Sequence, residues 1–261
     1  MSQARKGLKE TYYPEAEFGG YSRVDGTVAF FSRVQALAKP EMVVLDVGCG
    51  RGNAAERFET SPWEKCRLLK GRCQHVIGID VSQAGHENPL IDEFRPIEGE
   101  RWPVDTSSVH LLVSDAVLEH VERPDVFFSE CRRVLKPGGF LCLRTPNRWS
   151  YVSMIASLVP NQWHAKVVSW VQPGREALDV FPTYYRANTR RAVRRLLAAH
   201  GFTGCVYPHI AEPSYFGFSR PLYAVGVLLH RWLPSLFWPT LFVFAHRLAD
   251  GQIGDGVDQR A

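Results

Sequence analysis

Residues 44–52, VLDVGCGRG, constrain the fold of this chain more than any other stretch. Val43, Val44 and Leu45 are apolar β-formers that lead into Asp46, and Gly48, Gly50 and Gly52 then alternate with other residues. A short buried strand that ends in a glycine-rich turn and opens a helix is a nucleotide-binding device. Glycine has no Cβ and tolerates positive φ, so backbone can approach a ligand there. Taken alone, the string also fits a turn with no ligand.

The apolar segments that follow set the class. Strands are expected over residues 42–47, 75–79 and 109–113, with at best a short one over 91–95. Further strands are expected over 140–144 after the Pro137-Gly138-Gly139 turn, over 202–208, and last over 241–245. Helical spacing marks 27–38, ended by Lys39-Pro40, and 124–135. Another helix begins after Gly52, and one more is expected after Thr189 as N-cap, ending at Gly201. Buried strands separated by crossovers indicate a doubly wound, Rossmann-like α/β sheet, mostly parallel, with seven strands and helices on both faces.

Around that core the chain divides into three parts. Residues 1–40 read as a polar tail and a cap helix, 41–249 as the domain proper, and 250–261 as a disordered, Gly- and Asp-rich tail. Tyr12, Tyr13, Phe18 and Tyr21 in the first part either pack on the core or close over a ligand, and a mobile tail is the plainer expectation. Residues 60–74 are a basic insertion, and 147–188 a second one, of which 147–179 is rich in Trp, Val and His and expected to form one or two helices. Residues 222–238 are strongly apolar. They fit either a helix and strand closing the sheet edge, the favoured reading, or an amphipathic membrane contact.

A net charge of +4 in 261 residues comes from scattered arginines, so nucleic acid is not an expected partner. Arg190, Arg191, Arg194 and Arg195 fit a solvated helix face. The six cysteines have no paired metal spacing, no metal is expected, and free thiols point to a reducing, cytoplasmic compartment. The first residues lack the apolar core of a signal peptide, and no run reaches the roughly 18 apolar residues needed to span a bilayer.

Asp80 ends the second strand in VIGIDVS, where a carboxylate can accept both ribose hydroxyls of an adenosine. NAD sites favour G-x-G-x-x-G, whereas this turn is G-x-G-x-G with Asp46 just ahead of it. An acid at the strand end suits a ligand with an ammonium or sulfonium charge, and S-adenosylmethionine has both.

At these residues the sequence resembles the class I S-adenosylmethionine-dependent methyltransferases, in particular the small-molecule type similar to ubiquinone and menaquinone methylases. VLDVGCGRG is similar to the family's first motif and Asp80 to its ribose-binding acid. Residues 98–121, EGERWPVDTSSVHLLVSDAVLEHV, are similar to its third and fourth motifs, and LKPGG at 135–139 to the turn before its fifth strand. The resemblance spans residues 43–147, with a weaker match in the last strands. It implies that Asp46, Gly48, Cys49, Gly50 and Gly52 surround the methionine part of the cofactor, while Asp80 and Val81 hold the ribose. Glu98 and Gly99 would receive adenine, although the usual Asp-Ala is replaced there, and Ser114 and Asp115 would face the transferable methyl group. Residues 147–188 take the place of an acceptor lid.

The implied activity is methyl transfer to an O or N atom of a small molecule, with a lipid-linked compound, a glycan or a secondary metabolite as acceptor classes. His120, His164 and Tyr184 are the candidate catalytic residues, and Arg186 could meet an acidic acceptor. His120 and TYYR (183–186) also fit structural roles. Two other classes stand beside this reading: an NAD-dependent oxidoreductase on a similar sheet, and a non-catalytic nucleoside-binding protein.

Overall fold

The computed structural model describes residues 7–52, 64–151, 153–154 and 181–251. Seven strands make one sheet: β1 (Val43–Val47), β2 (His75–Asp80), β3 (Glu93–Pro96), β4 (Val109–Asp115), β5 (Leu135–Pro146), β6 (Phe202–His209) and β7 (Thr240–Arg247). Their order is β3-β2-β1-β4-β5-β7-β6. The pairs from β3 through β5 are parallel, and β7 runs antiparallel to both β5 and β6. The sheet is therefore mostly parallel and seven-stranded, as the sequence implies. The last strand does not close an edge, however. It is inserted between β5 and β6, which leaves β6 at the margin.

Successive strand residues point to opposite faces, so the apolar runs supply two cores. Val44, Leu111, Val113, Cys142 and Phe242 pack under α2 (Gly26–Leu37) through Phe30, Phe31 and Val34. Leu45, Val47, Leu112, Leu141 and Leu143 pack on the other face against α3 (Pro124–Val134) and α4 (Arg190–Ala199). Both helix starts carry the expected chemistry. The Asp25 carboxylate accepts from the amides of Thr27 and Val28, and the Thr189 hydroxyl accepts from Ala192 N–H. On α4 the four arginines are exposed while Val193, Leu196 and Leu197 are buried.

Two local expectations change. Residues 8–17 are not a loose tail: α1 (Leu8–Tyr12) and a 3-10 turn at Pro14–Glu17 bury Tyr13 and Ala16 against Tyr223. The Pro137-Gly138-Gly139 turn is absorbed into β5, which already pairs with β4 at Leu135, and the irregularity appears as a register shift between Val109 and Leu111. The helix expected after Gly52, most of the 147–188 lid and the 250–261 tail lie outside the described residues, apart from short flanking pieces. No helix among the described residues is long and apolar enough to cross a membrane. Helix α5 (Arg220–Trp232) is bounded by Ser219 and Leu233 and leads by Pro234 into β7.

Candidate active site

The carboxyl ends of β1, β2 and β4 converge on the glycine turn. Gly48, Gly50 and Gly52 have φ of +75°, +51° and +67°, left-handed values that L side chains rarely adopt. A Cβ on Gly48 would lie 2.2 Å from Val117 Cγ2, and one on Gly52 2.2 Å from Asn88 Oδ1. A Cβ on Gly50 would meet nothing within 4 Å, so at this residue the turn faces open space.

Asp80 braces the turn from the next strand. Its Oδ2 accepts from Gly50 N–H at 2.9 Å and its Oδ1 from Ser82 N–H at 2.8 Å. Each oxygen keeps a second lone pair for a ligand donor. Val81 follows it with its side chain 63% exposed, and Asn88 ties the turn from below through Cys49 O. Glu98 and Gly99 are exposed just past β3, where Ile97 N–H donates to Asp80 O.

Asp46 stands at the end of β1. Burial first, then the charges of Asp115 and Asp80, push its carboxyl up to about 7 against the opposing pull of Arg67. Asp115, two residues beyond Val113, the partner of Asp46 on β4, differs. Arg144 Nε reaches its Oδ1 at 2.5 Å, Arg144 Nη2 also binds its Oδ2, and Arg67 Nη2 lies 3.0 Å from Oδ2. Burial alone would raise this carboxyl, but the two arginines hold it below its ordinary value. Asp115 is thus held by two arginines. Ser114 is likewise turned inward, its buried hydroxyl donating to Val47 O at 3.0 Å.

A second cluster lies on the other face of the same strand ends. Thr145 Oγ1 donates to Glu119 Oε2 at 3.1 Å, and Asn188 Nδ2 donates to Thr145 Oγ1 at 2.6 Å. Burial raises the Glu119 carboxyl above its ordinary value. The backbone carbonyl of Glu119 accepts from Tyr184 N–H at 2.8 Å and Tyr185 N–H at 3.2 Å, which docks residues 181–186 against the 3-10 turn Leu118–His120. His120 Nδ1 lies 2.8 Å from Pro182 O, and its Nε2 lies 3.9 Å from Glu119 Oε1. The fold thereby brings His120 and the Tyr184 backbone together, whereas His164 falls outside the described residues. Sequence reasoning passed over Glu119, Thr145, Asn188, Arg67 and Arg144. The readable signal was Glu119, a carboxylate inside the otherwise apolar AVLEHV.

The strand order departs from the all-parallel 3-2-1-4-5-6 sheet of the dinucleotide-binding fold, because an antiparallel strand sits between β5 and β6. Residues 45–143 match the family model described as "Methyltransferase domain". A "Probable S-adenosylmethionine-dependent methyltransferase" of Mycolicibacterium smegmatis is 34% identical over 113 residues, 41% of this chain and 39% of that protein. A "Ubiquinone biosynthesis O-methyltransferase" of Maricaulis maris is 26% identical over 169 residues, 60% of this chain and 61% of that protein. The chain therefore spans about two fifths and three fifths of the lengths of these relatives. A solved S-adenosylmethionine-dependent methyltransferase from Mesorhizobium loti superposes with a TM-score of 0.52 at 18% identity, covering 86% of this chain and all of that one. Geranyl diphosphate C-methyltransferase of Streptomyces coelicolor gives 0.52 at 17% identity, over 85% of this chain and 77% of that one. With the glycine turn, Asp80 and this sheet in place, residues 45–143 are similar to a methyltransferase domain, and the fold is that of solved S-adenosylmethionine-dependent methyltransferases.

Proposed function

We propose that this chain transfers a methyl group from S-adenosylmethionine to an oxygen or nitrogen atom of a small-molecule acceptor. The observation that carries the reading is the pair of carboxylates, Asp46 and Asp80, on neighbouring strand ends around a left-handed glycine turn. Their chemistry fits this cofactor, since one carboxylate suits a cation and the other a ribose diol. A pyrophosphate would instead meet carboxylates at close range. The proposed contacts are Asp46, Gly48, Cys49, Gly50 and Gly52 toward methionine, Asp80 and Val81 toward ribose, and Glu98 and Gly99 toward adenine.

When bound, S-adenosylmethionine supplies an activated methyl group whose leaving group is a neutral thioether. What remains for the protein is to orient the acceptor in line, exclude water and take a proton from a hydroxyl acceptor. His120 takes the last task in this proposal. A carbonyl oxygen only accepts, so the Pro182 contact fixes the proton of neutral His120 on Nδ1 and leaves the Nε2 lone pair free to act as base. The Glu119 carboxylate near Nε2 then stabilises the imidazolium that forms. Oxygen is the favoured acceptor atom because relatives bear the names ubiquinone biosynthesis and malonyl-[acyl-carrier protein] O-methyltransferase. Calorimetry with S-adenosylhomocysteine and NAD, followed by transfer of labelled methyl into a host extract, tests the proposal. Tight NAD binding, or no binding of either ligand, overturns it.

Asp46 adds a pH signature. Its carboxyl holds a proton up to about pH 7, and a cationic ligand requires the ionised form. Affinity for S-adenosylhomocysteine, which keeps the ammonium, is expected to rise between pH 6 and 8 with release of protons. Asp46→Asn should flatten that rise and weaken binding by about tenfold, the loss of one charge-assisted contact. Titrations in buffers of different ionisation enthalpy count the protons, and an affinity that is flat in the parent protein contradicts the assignment. In the ligand-free protein the sign is opposite. The folded carboxyl is raised from 3.8 to about 7, so this group removes stability as pH climbs from about 4 to about 7 and adds no further change above.

A further inference from the structure

We infer that the outward face of α5 is a docking surface for a lipid bilayer with anionic headgroups. The helix is fixed in rotation by its inner side. Tyr223 packs on Tyr12 with ring centroids 5.5 Å apart, and His230 Nε2 meets Tyr151 OH at 2.8 Å. Gly226 sits so close to Pro213 that a Cβ there would lie 2.8 Å from Pro213 Cβ. The opposite side presents Leu222, Val225, Leu228, Leu229 and Trp232, all exposed, with Val225 at 58% and Trp232 at 83%. At helical spacing these five residues fall on one arc of about a third of the circumference, with no polar side chain among them.

Charge identifies the occupant. Exposed Arg220 and Arg231 lie together on one margin of the arc, and the sequence has no acidic residue between Glu212 and Asp250. A symmetric pairing of two such faces would bring arginines together with no carboxylate in this stretch to meet them. A phosphate-bearing surface meets them directly, and Trp232 within the apolar arc has the amphipathic shape that suits the headgroup boundary. The 13 residues of α5 are too few to span, so the helix would lie in the interface plane.

Topology gives the surface a bearing on the site. β6 runs parallel to β5 and β7 antiparallel to it, so the connection containing α5 joins the two at the end of the sheet that carries Asp46 and Asp80. The inference rests on exposure and charge and is independent of methyl transfer.

The test is flotation of the full chain with vesicles of phosphatidylcholine alone and of an equimolar phosphatidylcholine–phosphatidylglycerol mixture. Partition is expected to be about tenfold stronger onto the mixed vesicles and to fall with added salt. The pair Val225→Glu/Leu229→Glu should lower it by about tenfold or more, with thermal midpoint and S-adenosylhomocysteine affinity unchanged. Arg220→Gln/Arg231→Gln should abolish only the preference for the anionic mixture. Absence of partition onto the mixed vesicles, or equal partition by the Val225/Leu229 pair, overturns the inference. So does a parent dimer that this pair converts to monomer, since the face would then lie between copies. New protease cleavage within residues 155–180 in this pair, without vesicle binding by the parent, would show that the chain's own segment covers the face, and overturns the inference as well.

Discussion

Replacing Asp80 with alanine is expected to lower affinity for S-adenosylhomocysteine by about 100-fold. An ionised carboxylate bonding two ribose hydroxyls contributes roughly 3 kcal/mol in total, and about 1.4 kcal/mol is a factor of ten. The structure adds a second loss. Asp80 also accepts from Gly50 and Ser82 amides, so alanine leaves the glycine turn without its brace at the place where the ligand's methionine end would sit. Asp80→Asn keeps one acceptor oxygen and should retain part of the affinity, which separates turn bracing from ribose binding. Calorimetry reads both variants. An alanine variant within about threefold of the parent would mean that β2 does not hold the ribose, since even one such contact is worth more than that.

Arg144→Leu should cost about 3–5 kcal/mol of stability, the range for removing one partner of a buried pair. Arg144 bonds both oxygens of Asp115, donates to Thr27 Oγ1 at 3.0 Å and lies over the rings of Phe30 and Phe31, each 5.7 Å from its guanidinium carbon. Leucine keeps some of the ring packing but leaves Asp115 with Arg67 alone. For a chain of this size the thermal midpoint should fall by about 10 °C. Asp115→Asn/Arg144→Met, which removes both charges, should recover more than half of that loss.

The acid limb gives an independent check. Asp115 is held below its ordinary value when folded, so its stabilisation is present above about pH 4 and fades as pH falls through the lowered value. The double variant should lack that fading. A single variant that melts with the parent would show that the pair adds nothing.

The glycine turn, Asp80 and the parallel strands were legible because each is a local pattern: an apolar run, then turn residues with a fixed conformational demand. The partners of Asp115 were not. Its place near the cofactor is what the family resemblance implies. What decides its role is which residues of α2, β5 and the 60–74 insertion share one face of the sheet. Arg67, read only as part of a basic insertion, reaches Asp115 across that face. Tyr13 looked like a tail aromatic because its neighbour Tyr223 is far away in sequence. The place of β7 was illegible for the same reason. Residues 241–245 announce a strand, but nothing local says that they enter between two earlier strands. His164 and most of residues 147–188, the expected acceptor lid, lie outside the described residues.

The inserted antiparallel strand has a consequence for how the chain is made. Phe140 pairs with His246, and Phe202 with Arg247, so β5 and β6 have no contact in the sheet until β7 is available. During synthesis the glycine turn and its carboxylates can emerge and pair early, since β1, β2 and β4 come first. The half of the sheet made by β5, β7 and β6 must wait with two open strand edges. The two halves of the sheet are thus completed at different times on the ribosome, and a chain stopped before residue 240 would hold the glycine turn on paired strands without the β5–β7–β6 frame beside it.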